Sequence, residues 1–418
     1  MNFGKAAVIG AGQMGSGIAQ VLSQAGLSVL IVDINDELVE KGLANVKRMY
    51  DSRVRKETIT QNEADRCFAL VKGSTRYSEL KDVDLVIEAA LEKIEVKVDI
   101  FRKLDAACPS EAVLASNTSS LSISEIARAT KRPAKIIGMH FFNPAQVMKL
   151  VEVIPAVKTS DETVKSVLEL CQKLGKTPVR ITECPGFLVN RLLFPYINEA
   201  LHVLQEGHFT AFEIDQAAVA FGFPMGPLAL LDMTGLDVCT SVNEFLHDEY
   251  GVRFESAALM SHLASKGFLG QKTKAGIYLH PEGQPTSKGE EKKLNPSLDK
   301  IFAELKARGL APKEPVHSGQ PFDVLRIVLP MFNEAIFALQ EGIASAADID
   351  TAMALGTGLK RGLLTVAEEK GLAHCHEKLE LYRIAKGERF RPCWYLSKLV
   401  KAGIHDFREL TSVPVAVK

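Results

Sequence analysis

Lys5-Ala-Ala-Val-Ile-Gly10-Ala-Gly12-Gln-Met-Gly15 opens the chain, and Ser28-Val-Leu-Ile-Val-Asp33 follows one short helical stretch later. The order is apolar strand, G-x-G-x-x-G, helix from Ser16 to Ala25, apolar strand, acid. Gly10 allows a tight turn, Gly12 lets the backbone approach a pyrophosphate, and Gly15 lets helix and strand pack closely. The helix N-terminus then receives the negative charge. Asp33, eighteen residues after Gly15, suits a ribose 2′-hydroxyl and repels a 2′-phosphate, which favours NAD over NADP. A glycine-rich turn in an unrelated α/β protein would share the glycines without this ordered set. The reading is an α/β dinucleotide-binding domain of the Rossmann type.

Further strands follow from the apolar runs Asp84-Leu-Val-Ile-Glu-Ala, Val113-Leu-Ala-Ser, Ile136 to Met139, Leu150 to Ile154, and Thr177 to Thr182, which closes the sheet. Residues 37–66 read as helical. Within them Arg53, Arg55 and Lys56 form a basic cluster, either a solvated helix face or a phosphate contact. Glu92, Lys93, Glu95 and Lys97 sit at the start of a later helix. In a doubly wound sheet, ligands lie beyond the carboxyl ends of the strands. Asn117, Ser119 and His140 fall at such ends, although Asn117 and Ser119 could equally cap the helix that begins near Ile123.

Two polar residues break the apolar pattern of 136–154. His140 ends one strand and Glu152 interrupts the next. A carboxylate inside a buried strand is costly without a partner. Neighbouring strands could bring the two into hydrogen-bond reach, and the carboxylate would then fix the tautomer and raise the basicity of the ring. The alternative is a satisfied core histidine and a separate edge glutamate.

The length, 418 residues, accommodates two or three domains. Fifty basic and fifty-one acidic residues leave a net charge of −1, which gives no electrostatic case for nucleic-acid or membrane binding. Seven cysteines lack Cys-x-x-Cys spacing, so no metal site is expected. Their odd number and the want of a secretory leader point to a reducing, cytoplasmic setting. No apolar stretch approaches membrane-spanning length.

From Leu188 the pattern turns helical, and it recurs. Arg191, Pro195, Asn198-Glu199-Ala200, Gln205-Glu206-Gly207 and Ile214-Asp215 reappear 135 residues later as Arg326, Pro330, Asn333-Glu334-Ala335, Gln340-Glu341-Gly342 and Ile349-Asp350. At an offset of 136, Gly226, Gly235-Leu236, Arg253-Phe254 and Gly267 match Gly362, Gly371-Leu372, Arg389-Phe390 and Gly403. The expected organisation is therefore a dinucleotide-binding domain (1–183), a helical domain (184–280), a Pro/Gly/Lys/Glu-rich linker with one helix near 297–308 (281–319), and a second helical copy (320–418). Asn190 falls opposite Leu325, and Lys272 opposite Arg408. A copy that has lost polar residues is more structural than catalytic.

These motifs resemble the L-3-hydroxyacyl-CoA dehydrogenase family. The resemblance rests on the glycine fingerprint, Ser-Asn-Thr-Ser-Ser-Leu at 116–121, His-Phe-Phe-Asn-Pro at 140–144, Leu-Val-Glu-Val at 150–153, Pro-Gly-Phe-Leu-Val-Asn-Arg at 185–191 and Lys-Thr-x-x-Gly-x-Tyr at 272–278. It runs from residue 1 to about 280, and the segment from 320 resembles the second helical copy of multifunctional fatty-acid oxidation proteins. The resemblance implies that His140 is the catalytic base and Glu152 its partner. Ser119 and Asn190 would contact the substrate oxygen. Gly10, Gly12, Gly15, Asp33, Glu92, Lys97, Asn117 and Lys272 would contact NAD, and Arg53 or Lys56 the CoA phosphates. Lys274 departs from the glycine usual in the family's Lys-Thr-Gly motif.

The implied reaction is reversible NAD-dependent oxidation of (S)-3-hydroxyacyl-CoA to 3-oxoacyl-CoA, in fatty-acid β-oxidation or 3-hydroxybutyryl-CoA metabolism. The alternatives are a dehydrogenase of a non-CoA 3-hydroxy acid and a catalytically idle NAD-binding structural protein. No hydratase-like segment flanks the motifs, so a separate enoyl-CoA hydratase is the expected partner. Single-copy relatives commonly dimerise through the helical domain. The two copies here are thus expected to form an internal pseudo-dimer through an apolar interface above about 2,000 Å², leaving a monomer or weak homo-oligomer. A loosely tethered module that binds another protein is the other possibility.

Overall fold

The computed structural model describes residues 3–281, 292–311 and 321–407. The chain divides into two compact units, 1–187 and 188–418. In the first, β1 (Lys5–Ile9), α1 (Gln13–Gln24) and β2 (Ser28–Val32) follow the sequence pattern, with α2 (Asp36–Arg55), α3 (Gln61–Ala69) and β3 (Val71–Ser74) after them. Then come β4 (Leu85–Glu88), α4 (Ile94–Ala107), β5 (Val113–Ser116), α5 (Ile123–Arg128), β6 (Ile136–Phe141), β7 (Leu150–Pro155), α6 (Asp161–Lys173) and β8 (Thr177–Arg180).

These strands form one sheet in the order β3-β2-β1-β4-β5-β6-β7-β8. The first six run parallel, β7 runs antiparallel to β6, and β8 follows β7. Strands covered on both faces must be apolar throughout, and every residue of β4, β5 and β6 is buried. Glu88 and Ser116 at strand ends, and His140 one residue from the end of β6, are the polar exceptions. The pairing aligns Ile9, Glu88 and Ser116 across β1, β4 and β5, so the residues following them share one edge.

The helix expected over 37–66 is two helices. Thr60 opens the second with a capping box, accepting from the Glu63 amide while the Glu63 carboxylate accepts from the Thr60 amide. Such a cap satisfies N–H groups that a continuous helix would leave to its own turns, and so favours the break. Strand β3 was not foreseen, because Val71-Lys-Gly-Ser carries little apolar pattern.

The second unit is helical. It contains α7 (Phe187–Glu206, beginning at the boundary), α8 (Ala211–Phe221), α9 (Pro227–Thr234), α10 (Leu236–Tyr250), α11 (Ala258–Ser265) and α12 (Ser297–Ala307). The repeat supplies α13 (Leu325–Gln340), α14 (Ala346–Thr357), α15 (Leu363–Lys370), α16 (Leu372–Lys386) and α17 (Trp394–Lys401). A shift of 136 residues lays α9, α10 and α11 on α15, α16 and α17 end to end. Helix α12, inside the expected linker, is docked on the first copy. Glu304 meets His262 at 2.7 Å, and Gln205 donates to the Leu310 carbonyl at 2.7 Å. Arg408, the counterpart of Lys272, lies outside the described residues. Among those residues no helix is long and apolar enough to cross a membrane.

Buried charge joins the two copies beside the apolar contact expected there, in which the Phe209 and Phe322 rings lie 5.0 Å apart. Arg191 is tied to Glu334 at 2.8 Å and to Glu341 at 2.7 Å. Its counterpart Arg326 is tied to Glu199 at 2.8 Å and Glu206 at 2.7 Å. Arg253 and Arg389 repeat the crossing, to Glu334 at 3.0 Å and Glu199 at 2.7 Å. Buried carboxylates and guanidinium groups need each other once water is excluded. A two-fold arrangement satisfies both ends with one set of residues.

Burial alone would raise the Glu206 carboxyl, but its hydrogen bonds and attraction to Arg326 and Lys386 outweigh that and bring it down to about 2. A folded-state value below the unfolded one means stability that is full above the ordinary carboxylate range and lost as pH falls toward about 2. Urea unfolding of the Glu206→Gln variant is therefore expected to depend less steeply on pH in that window than unfolding of the unaltered chain. An unchanged slope would remove Glu206 from the account.

Candidate active site

The carboxyl edge of the sheet begins with the glycine loop. Gly10 has φ +104°, and a Cβ there would stand 2.6 Å from the Ala89 carbonyl oxygen. A Cβ on Gly15 would fall 1.8 Å from the Gly10 carbonyl oxygen, so helix and loop pack too closely for any side chain. At Gly12 a Cβ would meet no protein atom within 4 Å. The space in front of that backbone is open to a ligand, as a pyrophosphate at the start of α1 requires. Asp33 follows β2 and is fixed beside the loop. Its Oδ2 accepts from the Ala11 amide at 2.6 Å and its Oδ1 from the Ile34 amide at 2.7 Å. The residues present fit a dinucleotide.

One strand further on, charge is buried. Glu88 ends β4 with no exposure, and Lys97 on α4 is 1% exposed. The Lys97 ammonium reaches Glu88 at 2.8 Å and Glu92 at 3.1 Å. Ser116 Oγ and the Ala90 amide also donate to Glu88, at 2.6 and 2.7 Å. Glu92 Oε1 in turn accepts from Thr118 Oγ1, the Ser119 amide and Ser119 Oγ at 2.6, 2.7 and 3.0 Å. Burial pushes the Glu92 carboxyl up, but the Lys97 charge and the bonds from Thr118 and Ser119 overcome this and leave it below the usual carboxylate range. Ser122 caps α5, so Asn117 and Ser119 are released from that duty. Asn117 instead accepts the Phe141 amide on its Oδ1 at 2.8 Å, which pins the end of β6 beside His140.

His140 and Glu152 are directly opposed in the antiparallel β6–β7 pair. Opposed residues share a face with their Cβ atoms close together, and His140 Nδ1 lies 2.7 Å from Glu152 Oε2. Glu152 has no exposure and His140 is 7% exposed. A carboxylate that accepts at Nδ1 places that ring's proton on Nδ1 and leaves Nε2 as the basic nitrogen. The Phe142 and Phe187 rings lie 4.6 and 5.9 Å from the imidazole, centre to centre. Phe187 adopts φ +52° directly after Gly186 at +73°, a conformation costly for a side-chain-bearing residue and compensated by burial of the ring.

The remaining expected residues lie on other elements. Arg53 donates to Gln24, the last residue of α1, and Lys56 is exposed where α2 ends. They lie about 25 and 30 Å along the α2 axis from its start beside Asp33. Asn190, half-buried in the first turn of α7, belongs to the second unit. So does Lys272, which is ion-paired with Asp237. Lys274 has φ +62°, and the left-handed backbone explains why glycine is usual at that place. Sequence reasoning missed Glu88, which ends its strand, whereas Glu152 stood out by interrupting one. It also gave no role to Phe187.

Comparison with known proteins bears on this edge. A family profile described as "3-hydroxyacyl-CoA dehydrogenase, NAD binding domain" matches residues 5–184. A second, "3-hydroxyacyl-CoA dehydrogenase, C-terminal domain", matches both 186–280 and 322–407. The chain belongs to the 3-hydroxyacyl-CoA dehydrogenase family. It is 37% identical over 404 residues to the fatty acid oxidation complex subunit alpha of Shewanella amazonensis, covering 96% of this chain and 55% of that one. The chain thus spans about half the length of the curated relatives it matches. The 3-hydroxybutyryl-CoA dehydrogenase of Escherichia coli has a similar structure, with a TM-score of 0.84 and 32% identity over 96% of this chain and all of that one. The (S)-3-hydroxybutyryl-CoA dehydrogenase of Ralstonia eutropha is 43% identical, with a TM-score of 0.66 over 67% of this chain and all of that one. The first unit is accordingly the family's NAD-binding domain.

Lys97→Met would leave the Glu88 carboxyl buried without its cation. Removing one partner of a buried pair costs about 3–5 kcal/mol, and denaturant unfolding should show a loss of that order. A loss below about 1 kcal/mol, as for an exposed pair, would refute the pairing.

Proposed function

We propose that this protein interconverts (S)-3-hydroxyacyl-CoA and 3-oxoacyl-CoA, with NAD as the redox partner and His140 as the catalytic base. The observation that carries the reading is the 2.7 Å contact between His140 Nδ1 and Glu152 Oε2 at the edge where the glycine loop opens. NAD, when bound, supplies the hydride acceptor. His140 Nε2 takes the hydroxyl proton in the oxidising direction and returns it to the ketone oxygen in the other. Glu152 keeps the ring in the required tautomer and stabilises the imidazolium that forms. Ser119 and Asn190 donate hydrogen bonds to the substrate oxygen as it gains negative charge.

Gly10, Gly12 and Gly15 receive the pyrophosphate, and Asp33 the ribose hydroxyls. Glu92, Asn117 and Lys272 complete the cofactor site. With its ammonium between two carboxylates, Lys97 acts on the cofactor and Ser119 through Glu92. Arg53 and Lys56, far along α2, can meet only a long substrate with phosphates of its own, as CoA has.

The relatives include enzymes named for 3-hydroxybutyryl-CoA and fatty-acid oxidation subunits, so short and long acyl chains are both within the reading. A cytoplasmic protein with an internal pseudo-dimer of helical domains, monomeric or weakly associating, and supplied by an enoyl-CoA hydratase, completes it. The seven buried cysteines agree with a reducing compartment.

Loss of NADH absorbance on addition of acetoacetyl-CoA and longer 3-oxoacyl-CoAs is the direct test. Turnover with CoA thioesters and little with free 3-oxo acids is expected; the reverse preference would overturn the CoA assignment. NADPH should be the poorer cofactor, and equal use of both would remove the role of Asp33. His140→Ala should lower turnover roughly 10²–10⁴-fold with NADH affinity kept. A barely changed rate would sink the assignment of the base.

A further inference from the structure

Asn190 adjoins a residue that the second helical copy holds. Arg191 is fully buried, and its guanidinium is committed to the other copy. Nε donates to Glu334 Oε1 at 2.8 Å, and Nη1 and Nη2 donate to the two Glu341 oxygens at 2.7 and 3.1 Å. The Tyr250 ring covers the guanidinium at 4.3 Å. A planar fork gripped on two edges and one face cannot turn without breaking several charge-assisted bonds at once.

Asn190 and Arg191 are consecutive near the start of α7, its fourth and fifth residues. In a helix the angle between successive side chains is set by the backbone, at about 100°. Clamping one side chain therefore sets the direction of the next. The start of a helix is where such a clamp matters, since helix ends open most readily.

We propose that the second helical copy is a positioning element of the active site, which holds Arg191 through Glu334 and Glu341 and so sets the direction of Asn190. This rests on the reading above, in which Asn190 contacts the substrate oxygen.

The internal pseudo-symmetry supplies its own control. Arg326 is clamped in the same manner by Glu199 and Glu206, with bonds of 2.7–2.9 Å. Its neighbour, however, is Leu325. Both halves of the network hold the copies together, but only the half around Arg191 has a polar site residue beside it.

The test compares Glu341→Gln with Glu206→Gln in the full chain, measuring thermal midpoint, NADH affinity, and kcat and KM for acetoacetyl-CoA reduction. Both variants should lower the midpoint. Glu341→Gln should lower kcat roughly tenfold with KM little changed, as expected when a contact made in the transition state is misdirected. Glu206→Gln should hold kcat within about twofold. Equal kcat losses would mean a general softening and overturn the inference. So would lowered midpoints with kcat unchanged in both.

If either glutamine variant fails to fold, Arg191→Lys and Arg326→Lys keep the charge but lose the fork. The same asymmetry is expected of them, and a symmetric outcome again overturns the inference. An unaltered chain without turnover overturns the functional reading together with this one. An active chain with symmetric variants overturns this one alone.

Discussion

The antiparallel pairing of β6 with β7 is the constraint on which the proposed chemistry depends. In a purely parallel sheet, the residue that follows His140 in space would come from a crossover many residues away. Here the chain reverses after β6, and Glu152 lands opposite His140 on the same face. A slip of one residue would send Glu152 to the other face and leave a buried carboxylate unpaired. The register is held on both sides. Gly138 faces Ile154, and a Cβ there would come within 2.9 Å of the Ile154 side chain. In the connecting loop, Lys176 donates to the Ala145 and Met148 carbonyls at 2.6 and 2.7 Å.

Both units bury charge, and in each case the ions fix geometry more than they stabilise. Isolated buried pairs gain little net energy once desolvation is counted, yet they penalise any arrangement that separates them. Glu88, Lys97 and Glu92 carry that penalty to the turn bearing Ser119. The crossed arginines carry it from one helical copy to the other. Apolar contacts alone could slide; bidentate forks across the same interface fix a single register. This is the physical sense in which a repeat without Asn190 or Lys272 equivalents of its own remains useful to the chain.

Much of this was legible in the sequence because polar residues were out of place. The glycine fingerprint located the first strands, and His140 and Glu152 stood out against apolar runs. The recurrence at 135 and 136 residues revealed the repeat, including each arginine and glutamate of the crossing. A repeat names equivalent residues but not partners, however, and so Arg191 could not be assigned to Glu334 before the copies were seen together. Glu88 escaped because it ends its strand, where acids are ordinary. The break between α2 and α3 was written in Thr60-Gln-Asn-Glu63, a capping signal hidden inside a long charged stretch.

The central claim is that His140 and Glu152 act as one unit. Residues that act together lose their contributions together. Single-turnover rates of NADH oxidation by acetoacetyl-CoA should be compared for Glu152→Gln, His140→Ala and the double variant. The account predicts that the double variant is no slower than His140→Ala alone, since without the imidazole the carboxylate has nothing to orient. A double variant slower by the full factor of Glu152→Gln would contradict it.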